Sequence, residues 1–306
     1  MEAHAHPTTP TVDPARLPDP GEPVPAVAWP TVALFFSAIA VFAGSTALAI
    51  SDTLPIPVAV LINAFASYMF FTVLHDACHR TTSRQDWVNN WLGRLSAPMV
   101  APPFVSYSVF RYVHMQHHRF TNHDDTKDPD AYSTNGPAWT WPLRWATQDI
   151  RYWFFYLPLL GKRPRKERIE LVATIAAVAA VIVACIATGH ALDMLLFWIL
   201  PTRIGITFLG FAFDFLPHHG LDETPEENKY RTTRNRVGLE RLASPVMLYQ
   251  NYHLVHHLHP LIPFYRYLRA WRRNEEDYLD KGPALSTLAG RELTVEEYRH
   301  RRGLSG

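Results

Sequence analysis

Near-continuous apolar runs alternate with strongly polar segments along this chain. The runs cover residues 29–50, 55–74, 169–188 and 191–213, and each approaches the ~20 residues that a helix needs to cross a bilayer. Residues 171–187 contain no charge at all. The fourth run is broken by Pro201 and Arg203, and an arginine at that depth requires a partner or a water-filled cavity. Short breaks near 51–54 and 189–191 join the runs in pairs. The pattern therefore predicts an all-α integral membrane protein with four transmembrane helices in two hairpins. A soluble protein with four buried helices is the alternative, which four runs of this length disfavour.

The polar segments orient the hairpins. Neither tight break carries Lys or Arg, whereas residues 75–168 carry thirteen and the C-terminal region is also basic. By the positive-inside rule, both termini and the long central segment face the cytosol, which in a bacterial cell means the inner membrane. Residues 1–28 hold seven prolines and lack the basic start of a secretory signal, so they read as a disordered or surface-lying tail. The main domain is expected over 29–293, with 294–306 as a C-terminal tail. Between the second and third runs, Trp139, Trp141, Trp145, Tyr152, Trp153 and Tyr156 interleave with Arg144 and Arg151, a mixture suited to helices lying in the interface. The net charge of +1 gives no footprint for nucleic acid.

Histidine changes the picture from a membrane scaffold to a site. Of 16 histidines, eight fall in three clusters: His75 and His79 in HDACH; His114, His117 and His118 in HMQHH; His253, His256 and His257 in HLVHH. Residues three and four apart share a helix face, so each cluster aims its imidazoles at one point. Two independent HxxHH triplets arise by chance in roughly one such chain per thousand. Metal ligation is thus the expected role, against satisfied core histidines. All three clusters, together with the His218-His219 pair that ends the fourth run, fall on the cytosolic side. Structural zinc is complete with four ligands, so a set this large implies two ions with open positions. Imidazole suits iron, zinc and copper alike.

Ligating histidines commonly donate their second N–H to a carboxylate or amide oxygen. Asp76, Asp128, Asp130, Asp214 and Asn251 are the expected orienting groups, whereas Asp124 and Asp125 read as solvated loop charge. His123 is a weaker candidate for such support. His259 falls on the opposite face from its cluster, His190 lies in a turn across the membrane, and His4, His6 and His300 are tail residues. The two cysteines, Cys78 and Cys185, sit at different depths, so no disulfide is expected; Cys78 reads as a small packed thiol.

These motifs resemble the membrane fatty acid desaturase and hydroxylase superfamily, whose signature is three histidine boxes on a four-span helical fold. HDACH, VHMQHH with the following DPD and STNGPAW, DFLPHH and NYHLVHHLHPLIPFY are most similar to the cyanobacterial-type β-carotene hydroxylase branch. The resemblance, which runs over residues 29–293, implies a helical cytosolic cap around a non-haem di-iron centre. Its ligands would be His75, His79, His114, His117, His118, His253, His256 and His257, with His218 as the ninth. Where the family commonly has Arg after that ninth histidine, this chain has His219; His218 is the expected ligand. The resemblance further implies dioxygen as co-substrate, electrons from a separate donor such as ferredoxin and its reductase, and oxidation of a C–H bond in a lipophilic substrate taken from the bilayer. Carotenoid ring hydroxylation is the leading expectation and fatty acyl desaturation or hydroxylation the alternative. A metal-passing transporter and a zinc hydrolase belong to other classes. A transporter should place ionisable groups within its spans, whereas these histidines gather at one face.

Overall fold

The computed structural model describes residues 17–103 and 105–304. Four helices are long and apolar enough to cross a membrane: α1 (Trp29–Ile50), α2 (Ile56–Cys78), α7 (Arg165–Ala187) and α8 (Ala191–His218). Between α2 and α7 lie α3 (Asp86–Ser96), α4 (Tyr107–Phe120), α5 (Trp141–Ala146) and α6 (Gln148–Tyr156). α1 and α2 form one hairpin and α7 and α8 the other. Of the four, α2 is the most enclosed, with buried residues along most of its length, while α7 keeps most of its surface free. α2 also carries the first histidine box at its end, so the packing core and the site share one helix.

Two polar groups deep in the spans, Asn63 and Arg203, find partners on neighbouring helices, as a bilayer requires. Asn63 on α2 donates to Thr46 Oγ1 (3.0 Å) and to the carbonyl of Phe197 (2.9 Å), and its Oδ1 accepts from Ser45. Phe197 lies where α8 widens into a π-type turn over Leu195–Ile199, which shifts backbone carbonyls out of the usual ladder. Asn63 thereby ties α1 and α2 to α8. Arg203 has the partner its depth demands: its guanidinium pairs with both oxygens of Asp149 on α6, at 3.0 and 2.5 Å. A second π-type turn, Gly210–Phe215, precedes His218. There a Cβ on Gly210 would sit 2.7 Å from Trp145 Cα, so glycine is what lets α5 close against α8.

The cap departs from the purely helical expectation. A three-stranded sheet, β1 (Asn235–Val237), β2 (Leu285–Thr287) and β3 (Glu292–Leu293), pairs β1 with β2 in parallel and β2 with β3 antiparallel. Strands of two or three residues are too short for an alternating pattern to announce them. The sheet has a purpose for the site: Asn235 bridges to Tyr252, and Arg236 N donates to Asn251 O (2.7 Å). That edge sets the start of α9 (His253–Leu258), the helix of the third box.

Within the described residues, both expected tails are ordered. Residues 17–28, read from sequence as disordered or surface-lying, form a strap packed along the domain. Glu22 is buried and pairs with Arg269 (2.5 Å) and Arg266 (3.3 Å), and Val27 bridges to Ser83. Residues 1–16 lie outside the described residues. Residues 295–302 form a final helix whose Tyr298 is buried and accepts from Trp271 Nε1 (2.9 Å). Burying aromatic side chains at about 1.5–3 kcal/mol each offsets the ordering cost that the prolines and charges had suggested would go unmet.

Candidate metal centre

The three boxes meet. α2 delivers His75 and His79, α4 delivers His114, His117 and His118, and α9 delivers His253, His256 and His257; α8 ends in His218. The donor atoms separate into two nests, each with all its atoms within 4.8 Å of one another. One holds His75, His79, His114, His118 and His256; the other holds His117, His218, His253 and His257. The nine histidines expected from sequence are therefore divided five and four. His219 stands outside both, stacked on Phe215 with ring centroids 4.4 Å apart.

Helical spacing explains the division. His114 and His118 are four apart on α4 and enter the same nest, while His117 points into the other; His253 and His257 repeat this on α9, with His256 crossing over. The nests therefore share helices and touch, the His118 and His257 rings stacking at 4.3 Å.

The donor set fits a pair of cations. In the five-histidine nest, Nε2 atoms form a chain: His79 to His114 at 2.9 Å, His114 to His118 at 3.1 Å, His118 to His256 at 2.8 Å, and His256 to His75 at 3.0 Å. In the other, His117 to His257 is 3.3 Å and His257 to His253 is 3.1 Å. With metal–imidazole bonds of about 2.0–2.1 Å, donors at right angles lie about 2.9 Å apart and tetrahedral ones about 3.4 Å. The first nest matches the former and the second approaches the latter. A neutral imidazole has one N–H and one lone pair, so five converging Nε2 atoms cannot all satisfy one another. Buried ring nitrogens are also left over: both nitrogens of His218 and Nδ1 of His75 and His253 have no hydrogen-bond partner. Unsatisfied buried groups of this kind are costly, and a cation turns the crowding of lone pairs into binding.

Electrostatics outside the spans agree with neutral, ligand-ready imidazoles. Burial, followed by the neighbouring rings, pushes His114, His118, His253, His256 and His257 well below the usual histidine range. Burial and then Arg111 bring His79 to about 3. His117 differs. Burial draws it down, but Asp130 and Asp128 outweigh this and hold it up at about 9.

The expected orienting groups split. Asp128 accepts from His117 Nδ1 at 2.9 Å, and Asp130 lies 3.5 Å from the same atom. Asp130 is itself held by Tyr152 OH (2.6 Å). Buried Asp214 has Asp130 and His117 as charged neighbours. Asp76 is engaged elsewhere: it accepts from Thr31 Oγ1 (2.8 Å) and from the backbone N–H of Phe264 (3.2 Å), clamping α1 and the segment after α9 to α2. Asn251 donates to Arg236 O (3.0 Å) and Ser244 Oγ (3.2 Å) and so braces the loop before the third box, not a ring. His123 bonds Phe120 O, His259 bonds Tyr278 OH, and His190 pairs with Asp193; each has a local partner.

Sequence reasoning missed Tyr267, whose hydroxyl lies 3.0 Å from His256 Nδ1, and Thr121, 3.5 Å from His257 Nδ1. Phe71, Phe110 and Phe213 went unnoticed too. Phe110 stacks on His114 with an interplanar angle of 9°, and Phe213 packs edge-on against His75 and His253. Phe71 and Phe110 each stand four residues before a box histidine, His75 and His114, which was the available signal; no spacing rule links Tyr267 or Phe213 to the rings they touch.

Membrane-length helices bearing imidazole nests at one end define a membrane protein with a candidate two-metal centre. The chain belongs to the fatty acid desaturase family, whose model matches residues 51–289. It is 30% identical over 246 residues, 72% of this chain and 68% of the relative, to the dihydrorhizobitoxine desaturase of Bradyrhizobium elkanii. It is 29% identical to the sn-1 oleoyl-lipid 12-desaturase of a Picosynechococcus species, over 69% of this chain and 67% of that protein. It is 27% identical to the β-carotene ketolase of a Paracoccus species, over 64% and 71% respectively. These relatives support a desaturase or oxygenase type of function in a membrane oxidoreductase.

Proposed function

We propose that the chain is a membrane non-haem di-iron oxidoreductase that uses dioxygen and external electrons to oxidise a C–H bond of a lipophilic substrate. The observation that carries this reading is the convergence of nine imidazoles into two adjoining nests at one end of the membrane-length helices. One iron would be held by His75, His79, His114, His118 and His256, the other by His117, His218, His253 and His257. Irons held by these residues would supply, with dioxygen and electrons from a donor such as ferredoxin, the oxidising power to remove hydrogen from an unactivated carbon.

The protein's own residues bind, orient and keep water out. Asp128, accepting from His117 Nδ1–H, fixes that ring so that Nε2 faces its nest; Tyr267 does the same for His256. Phe71, Phe110 and Phe213 wall the first nest with rings. Beside them, Phe71, Leu74, Phe110, Ile206 and Leu209 line an apolar pocket that also reaches Asp214 and Tyr152. A substrate entering from the bilayer would pass these side chains. Both termini and the site are assigned to the cytosolic side of the inner membrane.

Carotenoid ring hydroxylation is the leading substrate reading, supported by the resemblance of the boxes and their flanks. Fatty acyl oxidation is the second, favoured by the lipid desaturases among the relatives. Expression in a host that makes both β-carotene and oleoyl lipids separates them. Hydroxylated carotenoid with unchanged acyl chains supports the first, and new acyl double bonds or hydroxyls with untouched carotene replace it by the second. Purified, folded protein that takes up no iron would sink both.

A further inference from the structure

Between β1 and the third box, the short helix Glu240–Val246 is built inside out. Its polar Glu240 and Ser244 are engaged by the cap: Glu240 accepts from Gly238 N (2.9 Å), and Ser244 Oγ accepts from Asn251 Nδ2 (3.2 Å). Leu239, Leu242 and Val246 stand on the outer side, 73%, 68% and 59% exposed. Their three- and four-residue spacing puts them on one face. A helix on a water-facing surface shows the opposite arrangement.

The end of this helix is fixed at membrane depth. The carbonyl of Met247 accepts from Tyr68 OH, and Tyr68 stands seven residues before His75 on α2, about 10 Å of helix rise toward the middle of the bilayer. The apolar run of α2 continues to Leu74, so Met247 lies within the leaflet and not at its edge. Tyr68 also packs on Phe208 of α8 and near Phe65, with ring centroids 5.5 and 6.1 Å apart. Both phenylalanines are exposed, so Met247 and Val246 extend the lipid-facing surface of the spans. Leu248, the next residue, packs against the apolar cores of both the spans and the cap.

The other end of the helix is cationic. Leu239 and Leu242 share one recess of about 410 Å³ with Arg241, Arg272 and Arg302. Arg302 pairs with Glu275 (3.3 Å), whereas Arg241 and Arg272 are exposed and have no carboxylate partner among the described residues. Leucines and free guanidinium groups in a single recess, above a helix end that reaches hydrocarbon, match an amphipathic helix seated in the interface. Clustered cations at that level attract anionic headgroups.

We propose that the helix Glu240–Val246 inserts into the leaflet at the histidine-bearing end of the spans and seats an anionic phospholipid headgroup at Arg241 and Arg272. A second copy or another protein covering the leucines is the alternative, and it leaves the depth of Met247 without a reason. The proposal needs the spans to cross a bilayer and is independent of the reaction at the nests.

Insertion is tested by nitroxide labels at L242C and V246C, with the full chain in nanodiscs and Cys185→Ala as background; Cys78 is buried. Collisions with dissolved oxygen should exceed those with a water-soluble nickel chelate at both positions, as they should at V181C, an exposed position on α7. Nickel-dominated collisions at V246C overturn the insertion. So do labels that neither reagent reaches, the mark of a protein cover. The headgroup is tested by native mass spectrometry of the full chain in neutral detergent, with phosphatidylglycerol and phosphatidylcholine as probes. Phosphatidylglycerol should bind in preference, and R241Q/R272Q should weaken it by about tenfold or more, each cation contributing about fivefold, with phosphatidylcholine unchanged. Equal binding of the two lipids, or undiminished phosphatidylglycerol binding in the double variant, overturns the headgroup site.

Discussion

The two histidine nests are built from the same helices yet held differently. The first has five donors, walls of phenylalanine and a neutral phenol, Tyr267, behind His256. The second has four donors and a buried carboxylate pair, Asp128 and Asp130, behind His117. One nest has ligands to spare and little charge around it. The other has a minimal set and gains from a carboxylate, which raises ligand basicity and fixes the ring. The ion in the second nest should therefore be the more easily lost, and every change there should be felt more.

Removing a ligand from the smaller nest should have the largest effect. Apparent binding energies of about 10–16 kcal/mol for four-ligand sites amount to about 3 kcal/mol per ligand, or ~10²-fold in affinity. His218→Ala should halve the iron content measured by plasma emission and remove turnover. His219→Ala, a ring outside both nests, should keep both irons. The reverse outcome would exchange their roles. Next in size is Asp128→Asn, which keeps an acceptor for His117 Nδ1–H but removes the charge. Affinity for the second ion should drop about 10–100-fold while the first is untouched, read as one of two irons released on chelator titration. Release of both together would mean that the nests bind as a unit and the contrast drawn here fails.

Much of this contrast was open to sequence reading, and the parts that were not share a cause. The spans were legible because a bilayer demands long apolar runs, and the nine histidines because i, i+3 and i+4 spacing is local. Asp128 and Asp130 were legible because they follow the second box by a few residues. Asp76 and Asn251 misled for the same reason. Each adjoins a box, but its side chain faces the packing side, where Thr31 and Phe264 or Arg236 and Ser244 take it. Tyr267, Asp149 and Glu22 were invisible because their partners are set by tertiary packing: Asp149 meets Arg203 across 54 positions and Glu22 meets Arg269 across 247. Nothing periodic in the chain records such pairs.

A ligand lost from the larger nest should matter less for metal retention. His79→Ala leaves His75, His114, His118 and His256, still a complete four-donor set of the kind that holds a tetrahedral ion. Iron content should stay at two per chain, with the first ion weakened by less than the ~10²-fold expected for a ligand of the four-donor nest, though turnover falls because the geometry has changed. If H79A instead loses an ion as completely as H218A, the fifth donor is not spare and the nests are equivalent.

The smallest effect should come from Tyr267→Phe, and its size measures what the carboxylate adds to the other nest. With Nε2 directed at the ion, His256 Nδ1 carries the proton and donates to Tyr267 Oη (3.0 Å). A phenylalanine leaves that N–H buried without an acceptor. A neutral hydrogen bond contributes about 0.5–1.5 kcal/mol net, so affinity for the first ion should fall about two- to tenfold, below the loss expected for D128N. The ring would still fill the space against His256, with its centroid now 5.4 Å away, so the fold should hold. Chelator titration of Y267F and D128N side by side is then a direct reading of charge against shape. Equal losses would mean that the charge of Asp128 adds no more than one neutral hydrogen bond, and no loss in D128N would mean that Asp128 contributes only as a well-placed oxygen.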